Sequence, residues 1–209
     1  GLIAYDQRSG RFRQWMHDEH QPASLGSNEV WSIAQTADGS LWVATQHGLD
    51  RMRADRRGFD HVPLQLAGAP ARSFGTVRAL LAEADGRLWI GAESCLYLRQ
   101  PDGSLQQVPV DPAFHGDIGK AWHIDGGDGE VRVAVTGGLL VIGADGVARP
   151  LADRELSPLR ILSSARDRQG RLWLGSLTGV LLEDRPGHLQ QITGQPLLPG
   201  GLPSDRIWQ

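Results

Sequence analysis

Short runs of apolar and β-branched residues alternate with polar turns along the chain, and one unit shows the pattern clearly. Val30–Thr36 is an apolar, β-branched run of the kind that forms a buried strand. Asp38-Gly39 predicts a two-residue hairpin, because both central positions of such a turn favour positive φ. Leu41–Thr45 predicts a second strand, Gln46-His47-Gly48 a turn, and Leu49–Met52 a third strand. Arg57-Gly58 then predicts a turn into Phe59–Val62, whose alternation suits a sheet edge. The unit reads as a four-stranded antiparallel meander.

The unit recurs. Asp38-Gly-Ser-Leu-Trp-Val-Ala-Thr45 returns as Asp85-Gly-Arg-Leu-Trp-Ile-Gly-Ala92 and as Asp167-Arg-Gln-Gly-Arg-Leu-Trp-Leu-Gly-Ser176, with a weaker copy at Gly127–Val135. The turn glycines Gly39, Gly86, Gly129 and Gly170 are separated by 47, 43 and 41 residues. A period in the forties made of short strands is the signature of a β-propeller, each repeat being one blade. The first strand returns at Val77, Ala121, Ile161 and Ile207, and the outer strand at Gly10, Gly103 and Gly187. The expected organisation is one all-β propeller segment over 1–209. Residues 1–26 end a blade, 27–73, 74–116, 117–157 and 158–202 are full blades, and 203–209 begin another. About four full blades with partial blades at both ends suggest a fragment of a larger propeller, seven-bladed in expectation. A repeat with open edges leaves apolar faces uncovered. Completion by further blades or by a second copy, a homodimer through propeller contacts, is therefore expected.

Composition narrows the function classes. The net charge is −3, with 21 Lys+Arg against 24 Asp+Glu, which argues against nucleic acid as the main partner. No apolar run approaches the 18 or so residues that span a bilayer, so membrane attachment is expected only through segments outside this sequence. The single Cys95 leaves no internal disulfide.

The run His17-Asp-Glu-His-Gln-Pro-Ala-Ser-Leu-Gly-Ser-Asn-Glu-Val-Trp-Ser-Ile33, continuing into Asp38-Gly-Ser-Leu-Trp-Val-Ala-Thr45 and Gly48-Leu49, resembles the two-component regulator propeller repeat. Leu202-Pro-Ser-Asp-Arg-Ile-Trp208 resembles its linker again, and Gly1-Leu-Ile-Ala-Tyr5 its Gly-Leu segment. The resemblance covers essentially the whole chain. Departures concentrate in the third repeat, where Arg132 takes the Trp position and Val135 the Thr position, and in the second, where Cys95 replaces the turn glycine. The resemblance implies a ligand-sensing, periplasmic input region of a bacterial membrane receptor, ahead of a histidine kinase or diguanylate cyclase module. By the same analogy the ligand is a small molecule or a carbohydrate. WD-type repeats are not indicated, since no Gly-His and Trp-Asp pair is present.

Most conspicuous residues have structural explanations. Trp42, Trp89 and Trp173 recur at one blade position and are expected to pack between blades. His17-Asp-Glu-His20 looks like a metal cluster but lies in a linker, and no metal or cofactor is expected. His123 is expected to be a packed core residue, Cys95 incidental, and Arg132 an edge-exposed residue of a degenerate blade. Loops carry specificity on a repeated scaffold. In a propeller the interblade linkers and the turns between second and third strands emerge at one end. That surface gathers Asn28, Glu29, Gln46, His47, Glu93, Ser94, Lys120, Thr136, Thr178 and Asp205 as candidate ligand-binding residues. No catalytic residue is assigned. The alternative readings are a propeller enzyme of the streptogramin-lyase type, for which His47, Glu93 and Glu29 are the ingredients, and a protein-interaction platform.

Overall fold

The computed structural model describes residues 1–64, 75–127, 129–151, 156, 159–185, 188–192 and 207. Among them strands β1 (Leu2–Asp6) and β2 (Arg11–Trp15) form a two-stranded antiparallel ribbon. Four-stranded antiparallel meanders follow. The first is β3 (Val30–Gln35), β4 (Leu41–Thr45), β5 (Gly48–Met52) and β6 (Phe59–Val62). The second is β7 (Val77–Ala82), β8 (Leu88–Ala92), β9 (Cys95–Arg99) and β10 (Leu105–Gln107). The third is β11 (Ala121–Gly127), β12 (Glu130–Val135), β13 (Gly138–Ile142) and β14 (Ala148–Pro150). The fourth is β15 (Ile161–Arg166), β16 (Leu172–Ser176), β17 (Gly179–Arg185) and β18 (His188–Ile192). The chain divides into two compact units, Gly1–Gln107 and Val108–Gln209. The meander legible in the sequence is the one observed, with the ribbon as the partial blade at the start.

The second strand of each sheet is buried on both faces, and its alternation shows why. In the first unit Trp42 and Ala44 of β4 pack with Val77, Leu88, Ile90 and Tyr97 of the second sheet. Val43, between them, packs the other way with Leu2, Leu25 and Phe59. Successive side chains point to opposite faces of a strand, so a strand between two layers must be apolar throughout. In the second unit Ala134 joins Ile161, Leu172, Leu174 and Leu181 in the same manner.

Two local expectations are corrected. Asp38-Gly39 is not a two-residue hairpin. The Gly39 amide donates to the Thr36 carbonyl at 2.8 Å and the Thr36 amide to the Ser40 carbonyl at 3.1 Å, enclosing three residues. Only Gly39 has positive φ (82°), so this is a turn followed by a left-handed glycine bulge. Asp38 instead accepts the Ser40 amide at 3.0 Å. The turn expected at Arg57-Gly58 is present, the Arg53 amide donating to the Gly58 carbonyl at 2.9 Å, with Arg56 as its left-handed residue (φ 56°). Gly58 is needed for another reason: a Cβ there would lie 2.7 Å from the Ala23 carbonyl. Arg132, expected at an exposed edge, is 1% exposed and is described below. Each first strand also carries a register irregularity at its second residue, between Val30/Ser32, Val77/Ala79, Ala121/His123 and Ile161/Ser163. Such a bulge increases local twist.

Candidate functional site at the linker end of the sheets

At one end of the first three four-stranded sheets the turn between second and third strands meets the linker that enters the first strand. The Gln46 amide donates to the Glu29 carbonyl at 3.0 Å, the Glu93 amide to the Thr76 carbonyl at 3.2 Å, and the Thr136 amide to the Ile118 carbonyl at 3.2 Å. These are two-residue hairpins, with Thr45 paired to Gly48, Val135 to Gly138 and Ser176 to Gly179. Those three glycines adopt φ of 123°, 141° and 119°. In the second sheet Cys95 stands at the glycine position, and the left-handed residue becomes Ser94 (φ 62°). The end-of-strand hydroxyls brace two of the turns. Thr45 Oγ1 donates to the Gly48 carbonyl at 3.2 Å, and Ser176 Oγ to the Gly179 carbonyl at 2.8 Å.

Within the first unit this arrangement brings Asn28 and Glu29 beside Gln46 and His47, while Glu93 and Ser94 occupy the corresponding turn of the second sheet. All six are exposed. Asn28 Oδ1 accepts the His17 amide at 2.8 Å. His47 Nδ1 lies 3.1 Å from the Gly26 carbonyl. In the second unit the Thr136 hydroxyl accepts the Lys120 amide at 2.9 Å, and Lys120 Nζ sits 5.6 Å from the Trp122 ring centre. Thr178 is exposed on the turn after β16 and its carbonyl accepts from Gln191. Asp205 lies outside the described residues. Among the described residues no group of three His, Cys, Asp or Glu side chains converges as a metal site.

Sequence reasoning missed a second layer beneath this rim. Asp50 of β5 is 2% exposed. Its Oδ2 accepts the Gly26 amide at 2.7 Å, and its Oδ1 lies 2.6 Å from His61 Nδ1. His61 Nε2 lies 3.0 Å from the Pro22 carbonyl. His17 Nδ1 lies 2.7 Å from the Leu25 carbonyl, and its ring meets that of His47 edge-on, centres 6.4 Å apart. Three imidazoles thus face carbonyls of one linker. A signal was available: at the position of Asp50 the other sheets carry Tyr97, Leu140 and Leu181, so a charge stands where the repeat is otherwise apolar.

The second cluster surrounds the Trp position. The indoles of Trp42, Trp89 and Trp173 each donate to the residue six earlier: Thr36 Oγ1 at 3.0 Å, Glu83 Oε2 at 2.8 Å and Asp167 Oδ2 at 2.9 Å. The Trp173 indole above all, with Arg171, holds the Asp167 carboxyl down at about 2. The Thr36 hydroxyl, then Ser40, does the same for Asp38, also about 2. In the third sheet Arg132 replaces the indole. Its Nη2 lies 2.7 Å from Asp125 Oδ2, and Asp125 Oδ1 accepts the Ser164 hydroxyl of the fourth sheet at 2.7 Å. His123, half-buried on β11, has its pKa pushed down by burial.

A cavity of about 560 Å³ in the first unit lies elsewhere, lined by Leu2, Ile3, Ala4, Ile33, Gln35, the Asp38–Leu41 loop and Arg51. Among the described strands β1 pairs only with β2, whereas the corresponding β5 is paired on both sides. The cavity is therefore bounded by an incomplete sheet, and none of the candidate loop residues lines it.

Comparison with known proteins agrees with this geometry. The Two component regulator propeller family matches residues 24–47 and 155–178, so the chain carries two segments of that repeat. No curated protein matches the sequence. The extracellular domain of the putative hybrid two component system BT4673 from B. thetaiotaomicron is similar in structure, with a TM-score of 0.78 at 19% identity, over 100% of this chain and 27% of that one. The extracellular domain of the putative hybrid two component system BT3049 from the same organism gives 0.75 at 20% identity, again over 100% and 27%. The chain thus spans about a quarter of those two proteins. The virginiamycin B lyase from Staphylococcus aureus gives 0.66 at 11% identity, over 92% of this chain and 62% of that one. These likenesses establish the fold: the sheets are blades of a β-propeller.

Proposed function

We propose that this chain is part of a non-enzymatic, periplasmic input propeller of a bacterial membrane receptor of two-component or cyclic-di-GMP type. It binds a small molecule or carbohydrate at the linker end of its blades. The observation that carries this reading is where the family matches fall. Segment 24–47 runs from a linker through β3 and β4 to the Gln46-His47 turn, and 155–178 runs through β15 and β16 to Thr178. The repeat that matches a signalling family is the piece that builds the rim. Ligand would favour one arrangement of paired propellers, and the membrane segment would transmit that population shift. A lyase reading gains nothing from the site. His47 Nδ1 faces a backbone carbonyl, and among the described residues no carboxylate bonds to the ring.

The test is a thermal-shift screen of mono- and oligosaccharides, repeated on the His47→Ala/Glu93→Ala variant. A compound that raises the melting temperature of the parent chain, with the shift lost in the variant, supports the site. Turnover of any panel member, or a gene that stops after one closed propeller without an output module, overturns the proposal.

A further inference from the structure

We infer that the linker entering the first four-stranded sheet is held by a proton-counting clasp, in which His61 bridges the buried Asp50 carboxylate and the Pro22 carbonyl and releases the linker when that bridge loses a proton. An imidazole nitrogen can face a carbonyl at hydrogen-bond distance only as an N–H donor. Pro22 O, 3.0 Å from Nε2, accepts and never donates. Asp50 Oδ1, 2.6 Å from Nδ1, is likewise an acceptor when ionised. The bridge therefore contains one proton more than a neutral imidazole beside a carboxylate, whether that proton sits on the ring or on the carboxyl. Remove it, and the ring keeps one N–H for Asp50 while a nitrogen lone pair confronts the Pro22 carbonyl.

The neighbouring histidines lack this property. His17 and His47 each present one nitrogen to one carbonyl, Leu25 O and Gly26 O, which a neutral ring satisfies. The charged groups around His61 are few. On β5 its partner in register is Asp50, which also holds the Gly26 amide. On β6, Asp60 alternates to the opposite face and pairs with Arg53 at 2.7 Å. On the linker, Asp18 is taken up by Gln21 Nε2 at 2.6 Å and the His20 amide at 2.9 Å, while Glu19 and His20 are exposed.

The sign follows from proton counts. The latched state binds more protons than the released one, so latching is favoured at low pH. It weakens as pH rises and that proton is withdrawn. Release would free the segment that ends at Asn28 and Glu29 and supports His47 through Gly26.

The experiment is residue-resolved amide exchange of the whole chain at several pH values, corrected for intrinsic exchange. The reporters are the amides of Gln21, Ser24 and Gly26, bonded to Asp18 O, Gln21 O and Asp50 Oδ2. The internal reference is two bonds of the second unit in which no imidazole takes part, the Asp111 amide to Ala148 O and the Gly137 amide to Asp117 O. Protection of the first set should fall about fivefold between pH 6 and pH 8, the loss of one half-exposed hydrogen bond, while the reference set stays level. In the surface variant His61→Gln the first set should become as level as the second. A parent chain with flat protection at Gln21, Ser24 and Gly26 overturns the inference. So does a fall that persists unchanged in His61→Gln.

Discussion

The second and third four-stranded sheets fill the same strand position in opposite ways. In the second, Trp89 of β8 stands opposite Leu81 and turns its indole N–H back to Glu83 of its own hairpin. In the third, Arg132 of β12 stands opposite Asp125, pairs with it, and through it reaches Ser164 of the fourth sheet. Both side chains are buried, at 5% and 1% exposure, and both are flat and end in N–H donors. The contrast teaches that the position demands a large planar donor whose partner lies close by, and does not demand tryptophan as such. It also changes where the bond goes. The indole bond is local to one hairpin, whereas the guanidinium network joins two neighbouring sheets. The exchange is paired: Ala34, Leu81 and Ala165 oppose the tryptophans, and an acid opposes the arginine.

The largest expected effects come from removing one member of either arrangement. Trp89→Ala should destabilise the first unit by about 3–5 kcal/mol through the cavity it leaves. Asp125→Ala should cost a similar amount, about 3–5 kcal/mol, because Arg132 would remain buried without a counter-charge. Denaturant unfolding reads both, and an Asp125→Ala loss below about 1 kcal/mol would mean that the pair behaves as a solvated surface bridge. The two arrangements can then be exchanged. Arg132→Trp combined with Asp125→Ala should be more stable than Asp125→Ala alone, since no uncompensated charge remains. If the double variant is no better, the third sheet does not accommodate an indole at this position. Next in size is Trp173→Phe, which keeps the ring and deletes the bond to Asp167, with an expected cost of about 1 kcal/mol.

The smallest effect separates the two types by pH. The Asp167 carboxyl is held at about 2, below its ordinary 3.8, by the indole first and then by Arg171. A depressed value stabilises the folded state above the unfolded pKa and is lost as pH falls through the folded one. The indole N–H resonance of Trp173 should therefore shift between about pH 4 and pH 2. An unmoved resonance in that window would show that the indole bond does not depend on the ionised carboxylate.

Legibility differed by the range of the interaction. The four-strand meander could be read from apolar runs and turn residues because each signal lies within a few residues of its partner. The rim turns could be placed for the same reason. Asp50 and His61 face each other across β5 and β6, but their contacts to Gly26 and Pro22, in a linker 24 to 39 residues away, could not be read from local pattern. The burial of Arg132 escapes the sequence for a related reason. An arginine in a weakened repeat suggests a solvated edge, and only Asp125 and Ser164 together make its burial tolerable. Gly58 closes the turn that its place after Arg57 suggests, but it also admits the Ala23 carbonyl, a contact that local sequence does not encode.

The sequence by itself determined the repeat and the order of strands in each four-stranded sheet, since period, turn chemistry and strand alternation are short-range properties of the chain. The tertiary structure decided which polar residues are buried and what holds them. Burying a charge is tolerated only where a partner arrives from another strand, linker or sheet, and that arrival is settled by packing.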